Sequence, residues 1–111
     1  NNQPRLPKYI NADKERILGN YDKAYALYTE CLELNPKNDG VHYALARLFL
    51  TQKNVDAAIY HFNEASELDP TNAWYLTRLA VLYNQTNDLK NADKVFKRLR
   101  KLDENNPEYV Y

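Results

Sequence analysis

The chain has no methionine, one cysteine and two glycines in 111 residues, and each shortage removes a class of function. A lone Cys31 leaves no internal disulfide and no Cys-x2-Cys metal site. Gly19 and Gly40 stand far apart, so no glycine-rich loop exists to cradle a phosphate. No run approaches the roughly 20 apolar residues of a membrane-spanning helix, and no secretory leader is present. The sequence therefore reads as soluble, without direct membrane insertion. Because it starts at Asn1 and lacks methionine, it reads as an excised fragment or processed product. Its compartment stays open between the cytoplasm and a bacterial periplasm or envelope. An excess of one charge is also missing, since 15 basic residues balance 15 acidic ones.

What is present is a repeat. Ala24-x3-Tyr28-x2-Cys31-x4-Pro36 returns 34 residues later as Ala58-x3-Phe62-x2-Ala65-x4-Pro70. A third copy, Ala92-x3-Phe96-x2-Leu99, has Glu104 in place of the proline. Self-similarity at this interval marks an array of like units that stack to bury a shared core, so function is sought on a surface rather than in a deep pocket. At this length the array forms one domain, burying about two thirds of its unfolded surface.

Small residues recur on both helices of each unit: Ala12, Ala46 and Ala80 on the first, Ala24, Ala58 and Ala92 on the second. Packed helices lie roughly 8–10 Å apart, and the closest approaches require such residues at the crossing. Apolar side chains at helical spacing surround them, as in Val55, Ala58, Ile59 and Phe62. Asn20, Asn54 and Asp88 stand before each second helix, and Asn38 and Asn72 before two of the first, where side-chain oxygens accept free amides. Gly19 and Asn87 end the preceding helices in a left-handed conformation, and Lys53 fills the same slot.

The spacing resembles the tetratricopeptide repeat family over nearly the whole chain. The resemblance implies an all-α, right-handed α-solenoid of helix-turn-helix units running over 5–38, 39–72 and 73–106, within a single domain 1–111. Unit two fits best, with His42, Leu45, Ala46, Phe49, Ala58, Phe62, Ala65 and Pro70 on the eight signature positions. Unit three offers Leu76, Leu79, Ala80, Tyr83, Ala92, Phe96, Leu99 and Glu104. Unit one matches on its first helix only at Ala12, where Lys8, Asn11 and Glu15 replace apolar residues. Residues 107–111 repeat the register of 73–77, with Pro107 suited to a first helical turn, and read as the start of a truncated fourth unit. Without a polar capping helix, the last helix is expected to expose an apolar stripe including Val95 and Leu99, open to 107–111 or to self-association.

Catalytic constellations are nearly absent, so neither an enzyme nor a cofactor or metal site is expected. Cys31 occupies the small-residue slot of Ala65 and reads as a buried packing thiol. His42 and His61 lie on different helices with no carboxylate or cysteine partner at ligand spacing. Glu64, Glu67, Asp13 and Glu15 read as solvated outer faces. Unit two is acidic and unit three basic, through Arg78, Lys90, Lys94, Lys97, Arg98, Arg100 and Lys101. That run lies on one outer helix and lacks the aromatic platforms of a nucleic-acid surface, so no nucleic acid is expected as partner.

The resemblance instead implies a groove lined by the first helices, which holds a segment of a protein or peptide partner. Its positions here are Tyr9, Ile10, Asp13 and Ile17, then Tyr43, Ala44, Arg47 and Leu50, then Trp74, Thr77, Arg78, Val81 and Gln85. Tyr, Trp and Arg are the residue types enriched in interface hot spots, which draws attention to Tyr43, Arg47, Trp74 and Arg78. One branch of the family clamps the C-terminal carboxylate of heat-shock chaperones. Its five positions fall on Tyr9, Asp13, Ala44, Trp74 and Arg78, of which only Arg78 agrees, and Asp13 would repel an anion. The leading expectation is a non-catalytic protein-interaction module of a longer repeat protein. The alternative is a spacer or assembly scaffold in a multi-protein complex, since the Tyr and Asn content and the repeated Leu-Asp/Asn-Pro ending resemble bacterial envelope arrays.

Overall fold

Local residues set most of the helix ends. The computed structural model describes residues 7–105, with α1 at Lys8–Ile17, α2 at Tyr21–Leu34, α3 at Asp39–Thr51, α4 at Val55–Leu68, α5 at Ala73–Gln85 and α6 at Leu89–Glu104. The Oδ1 of Asn38 accepts from Val41 N at 3.2 Å, that of Asn54 from Ala57 N at 3.2 Å, and that of Asp88 from Asn91 N at 3.3 Å. Asn72 accepts from both Trp74 N and Tyr75 N. Asn20 breaks the pattern. Its amide turns back to donate to Glu15 Oε2 at 2.7 Å, and its side chain makes no cap bond.

Prolines set two of the helix ends. The ring of a proline pushes the preceding residue out of the helical region. Asn35 and Asp69 accordingly sit at φ −146° and −131°, and α2 and α4 stop just before them. Where Glu104 replaces the proline, nothing stops the chain, and α6 runs to 16 residues against 14 in α4.

Between the helices of each pair one residue turns left-handed: Gly19 at φ 84°, Lys53 at 62° and Asn87 at 60°. The next amide then bonds back across the turn, Asn20 N to Glu15 O, Asn54 N to Phe49 O and Asp88 N to Tyr83 O, each at 2.8 Å. This closes the helix end as a Schellman motif does. Lys53 bears a Cβ that the conformation disfavours, so Lys53→Gly is expected to gain about 0.5–1 kcal/mol. A higher urea midpoint with an unchanged slope checks it.

Packing joins the pairs into an elongated all-α repeat solenoid of 59 × 32 × 22 Å. Helix α3 sits between two core clusters and feeds both. Val41, Leu45 and Leu48 meet Ala12, Ala24, Tyr28 and Cys31 from the first pair. On its other side Ala46 meets Ala58, Phe62, Leu76, Leu79, Ala80, Leu82 and Val95. Cys31 is buried among these apolar neighbours, and desolvation raises its thiol pKa, as a packing thiol requires.

The last helix departs from the expected stripe. Val95 is buried in the second cluster, whereas Phe96 is 43% exposed and Leu89 is exposed on the outside. Val95 instead packs with Leu76, Leu79, Ala80 and Leu82 of α5, and the exposed apolar residues are Leu89 and Phe96. Leu99 stays partly buried against the core. The reading of 107–111 as a fourth unit lies outside the described residues.

Candidate functional site

Helices α1, α3 and α5 follow one another along one side of the array, and their side chains build an aromatic and charged surface. At the α3–α5 junction, Tyr43 packs its ring on Phe62 and Tyr75, with centroids 5.7 and 5.5 Å apart. Trp74 Nε1 donates to the Tyr43 hydroxyl at 2.9 Å. Beside it, the Tyr75 hydroxyl donates to Asp39 Oδ2 at 2.7 Å. Burial, followed by that carboxylate, pushes the Tyr75 phenol well above its ordinary pKa, so it stays a donor at any physiological pH. These two bonds tie α5 to α3 and hold Trp74 in place while leaving it 55% exposed.

Two guanidinium groups lie on this aromatic surface. The Arg47 Cζ stands 5.5 Å from the Tyr43 centroid, and that of Arg78 stands 5.8 Å from Trp74 and 6.0 Å from Phe62. Cation–π contact holds each head without consuming all its N–H donors. The surface thus presents an aromatic plate flanked by oriented donors, suited to a carboxylate or carbonyl set beside an apolar side chain.

Toward α1 the character changes. A cavity of about 240 Å³ opens between α1 and α3, lined by Tyr9, Asp13, Tyr28, Asn38, Gly40, Val41 and Ala44. Asp13 accepts a hydrogen bond from the Tyr28 hydroxyl. Burial first, and then that carboxylate, pushes the Tyr28 phenol up to about 12. Asp13 is therefore not a freely solvated outer carboxylate, as expected alongside Glu15, but a half-buried group held from below.

The expected groove residues divide accordingly. Tyr9 and Asp13 meet at the cavity, and Tyr43, Arg47, Trp74 and Arg78 meet at the plate. Gln85 is exposed on the last turn of α5, about two turns beyond Arg78. Asn38, Gly40 and Val41 were not foreseen as lining residues. Glycine in the first turn of a helix was their one available signal, because it leaves space where a side chain would stand. Tyr43 emerges as much a packing residue as a contact surface.

The two histidines also meet. His42 Nδ1 and His61 Nδ1 lie 3.0 Å apart, so each finds a histidine rather than a carboxylate or cysteine as its partner. Phe49 stacks on the His61 ring at 5.6 Å and 9°, and Tyr60 meets it edge-on. Desolvation, then the neighbouring His42, pulls the His61 pKa down to about 4. Among the described residues no cluster of three or more metal-ligating side chains occurs, and no helix is long and apolar enough to cross a membrane.

Comparison with known proteins gives consistent matches. A family profile described as Tetratricopeptide repeat matches residues 16–59 and 49–111. Anaphase-promoting complex subunit 3 of Schizosaccharomyces pombe is 29% identical over 84 residues, covering 76% of this chain and 13% of that protein. Cell division cycle protein 27 homolog A of Arabidopsis thaliana is 36% identical over 66 residues, covering 60% of this chain and 9% of that protein. The chain thus spans about a tenth of the length of these relatives. In three dimensions it resembles the first TPR of Spaghetti (RPAP3) bound to HSP90 peptide SRMEEVD, with TM-score 0.71, 24% identity and coverage of 92% of this chain and 83% of that one.

Proposed function

The chain belongs to the tetratricopeptide repeat family, and on that premise we propose that its first-helix face docks an extended or helical segment of another protein. Its place is within a longer, non-catalytic interaction protein. The observation that carries this reading is the plate of Trp74, Tyr43, Arg47 and Arg78. A half-exposed tryptophan held by a 2.9 Å hydrogen bond has little rotamer freedom left to lose on binding. Trp and Arg are also the side chains whose truncation costs interfaces most. Preformed grooves of this kind recognise segments by side-chain anchors rather than by refolding.

The structural neighbour holds an HSP90 peptide, yet the carboxylate-clamp chemistry does not transfer. Only Arg78 matches, while Tyr9, Asp13, Ala44 and Trp74 stand where a clamp needs cations or amides. A chaperone tail is therefore not the proposed ligand.

Twelve-residue peptides selected on the wild-type chain from a random display library test the reading. Arg47→Glu combined with Trp74→Ala is expected to weaken them at least tenfold, about 1.4 kcal/mol. Tyr43 is left intact because its loss would also loosen the α3–α5 junction. Peptides that bind the double variant as well as the wild type would remove the docking role. The second reading, an assembly scaffold, draws on a relative that is itself a subunit of the anaphase-promoting complex. In that reading this chain would join neighbouring subunits through its ends, with the exposed Phe96 on α6 as one contact.

A further inference from the structure

The cavity between α1 and α3 has a chemistry distinct from that of the plate. Its walls are the rings of Tyr9 and Tyr28, the apolar side chains of Val41 and Ala44, and Asn38 beside Gly40, where an added Cβ would meet Asn38 Oδ1 at 3.4 Å. Among the described residues one formal charge lines it, the carboxylate of Asp13, and that charge is negative. The Tyr28 hydroxyl holds one Asp13 oxygen from below and so orients the group. Among the described residues no basic side chain forms an ion pair with Asp13. Lys8, on the same helix, pairs instead with Glu30 at 3.1 Å. Arg16 also acts on the Tyr28 hydroxyl but stands outside the cavity lining.

The volume of about 240 Å³ falls below the roughly 300–1,000 Å³ of ordinary small-molecule sites, and it suits a single long side chain. An acidic occupant would meet Asp13 at close range and be repelled. A purely apolar occupant would strip water from the carboxylate and return no hydrogen bond. A lysine or arginine satisfies every wall at once: its methylene stem lies on Val41, Ala44 and the tyrosine rings, and its head reaches Asp13.

We propose that this cavity is a receptor for a basic side chain, and that the docked segment is one carrying a lysine or arginine seated against Asp13. The proposal rests on the docking reading above and adds to it the identity of one anchor. The groove then has unlike ends, an acid between α1 and α3 and two guanidinium groups between α3 and α5. A segment with a basic residue spaced from an acidic one matches both.

The test uses the peptides selected on the wild-type chain. They are expected to share a Lys or Arg at one fixed position. Replacing it with Gln should weaken binding to the wild type at least tenfold, by fluorescence anisotropy, and to Asp13→Asn less than twofold. Gly40→Leu, which fills the cavity with Asp13 in place, should also abolish the preference. Thermal unfolding establishes that each variant is folded, and the two variants perturb different atoms, so one folding failure leaves the other decisive. Peptides that need Trp74 and Arg47 but show no basic position, or lose equally on Asp13→Asn, overturn the receptor and leave the docking face standing. Peptides indifferent to Trp74 and Arg47, or a selection that yields none, overturn both.

Discussion

Phe62→Ala is expected to remove about 3–5 kcal/mol from the stability of the array, as truncating a fully buried phenylalanine does. Phe96→Ala, at the same position of the next repeat, is expected to cost under about 1 kcal/mol. The two side chains are chemically identical and sit 34 residues apart. Phe62 is 0% exposed, because α5 covers it: Leu76, Leu79 and Ala80 share its cluster, Arg78 lies over its ring and Tyr43 packs beside it. Phe96 is 43% exposed on the outer face of α6. Chemical unfolding of both variants measures the contrast. Since folded domains of this size hold only about 5–15 kcal/mol, the Phe62 variant should sit near the edge of folding. Equal losses at the two sites would mean that Phe96 is covered in solution as Phe62 is, by another part of the chain or a second copy.

Acid is expected to weaken the fold through the histidine pair. The His42–His61 bond uses the proton of one ring nitrogen and the lone pair of the other. A further proton on the accepting nitrogen turns the contact into two opposed donors. Burial beneath Phe49 and Tyr60 adds a desolvation penalty for the charged ring, and the His61 pKa falls from 6.5 to about 4. The unfolded chain therefore binds the proton first, and stability drops as pH falls from about 6.5 toward 4. At about 1.4 kcal/mol per pKa unit the full effect is about 3 kcal/mol. Solvent screening of the partly exposed ring reduces it to about 1.5–2 kcal/mol. Urea unfolding at pH 7, 5.5 and 4.5 for the wild type and His61→Asn isolates the contribution. The variant should lose most of the difference between pH 7 and 4.5, and an unchanged difference would assign the acid sensitivity to other groups.

The helices themselves were legible because their signals are local. An asparagine or aspartate three residues before the amide it accepts, a left-handed residue closing a turn and a proline barring one more residue all act within a few positions. The failures were local too. Asn20 looked like its counterparts, but Glu15 one turn back offered its amide a better partner. At Glu104 the reverse holds: the sequence places the end of this helix at Leu102, but with no proline to bar further turns α6 runs on to Glu104. For the candidate groove, Tyr9, Asp13, Tyr43, Arg47, Trp74 and Arg78 were placed by analogy of position. Their division into an acidic cavity and a cationic plate depended on which neighbours each one found.

From sequence alone, then, came the all-α repeat, the turns that separate its helices and the buried small residues, because spacing, capping and chirality act over one or two helical turns. Tertiary structure decided that Tyr28 reaches Asp13, that His42 meets His61, that Trp74 leans on Tyr43 and that Tyr75 reaches Asp39, pairs separated by 15, 19, 31 and 36 residues. It also decided that Phe62 is core and Phe96 surface. Those outcomes follow from how one helix pair lies on the next, and a repeat that writes the same residue into every unit does not specify which copy will have a neighbour.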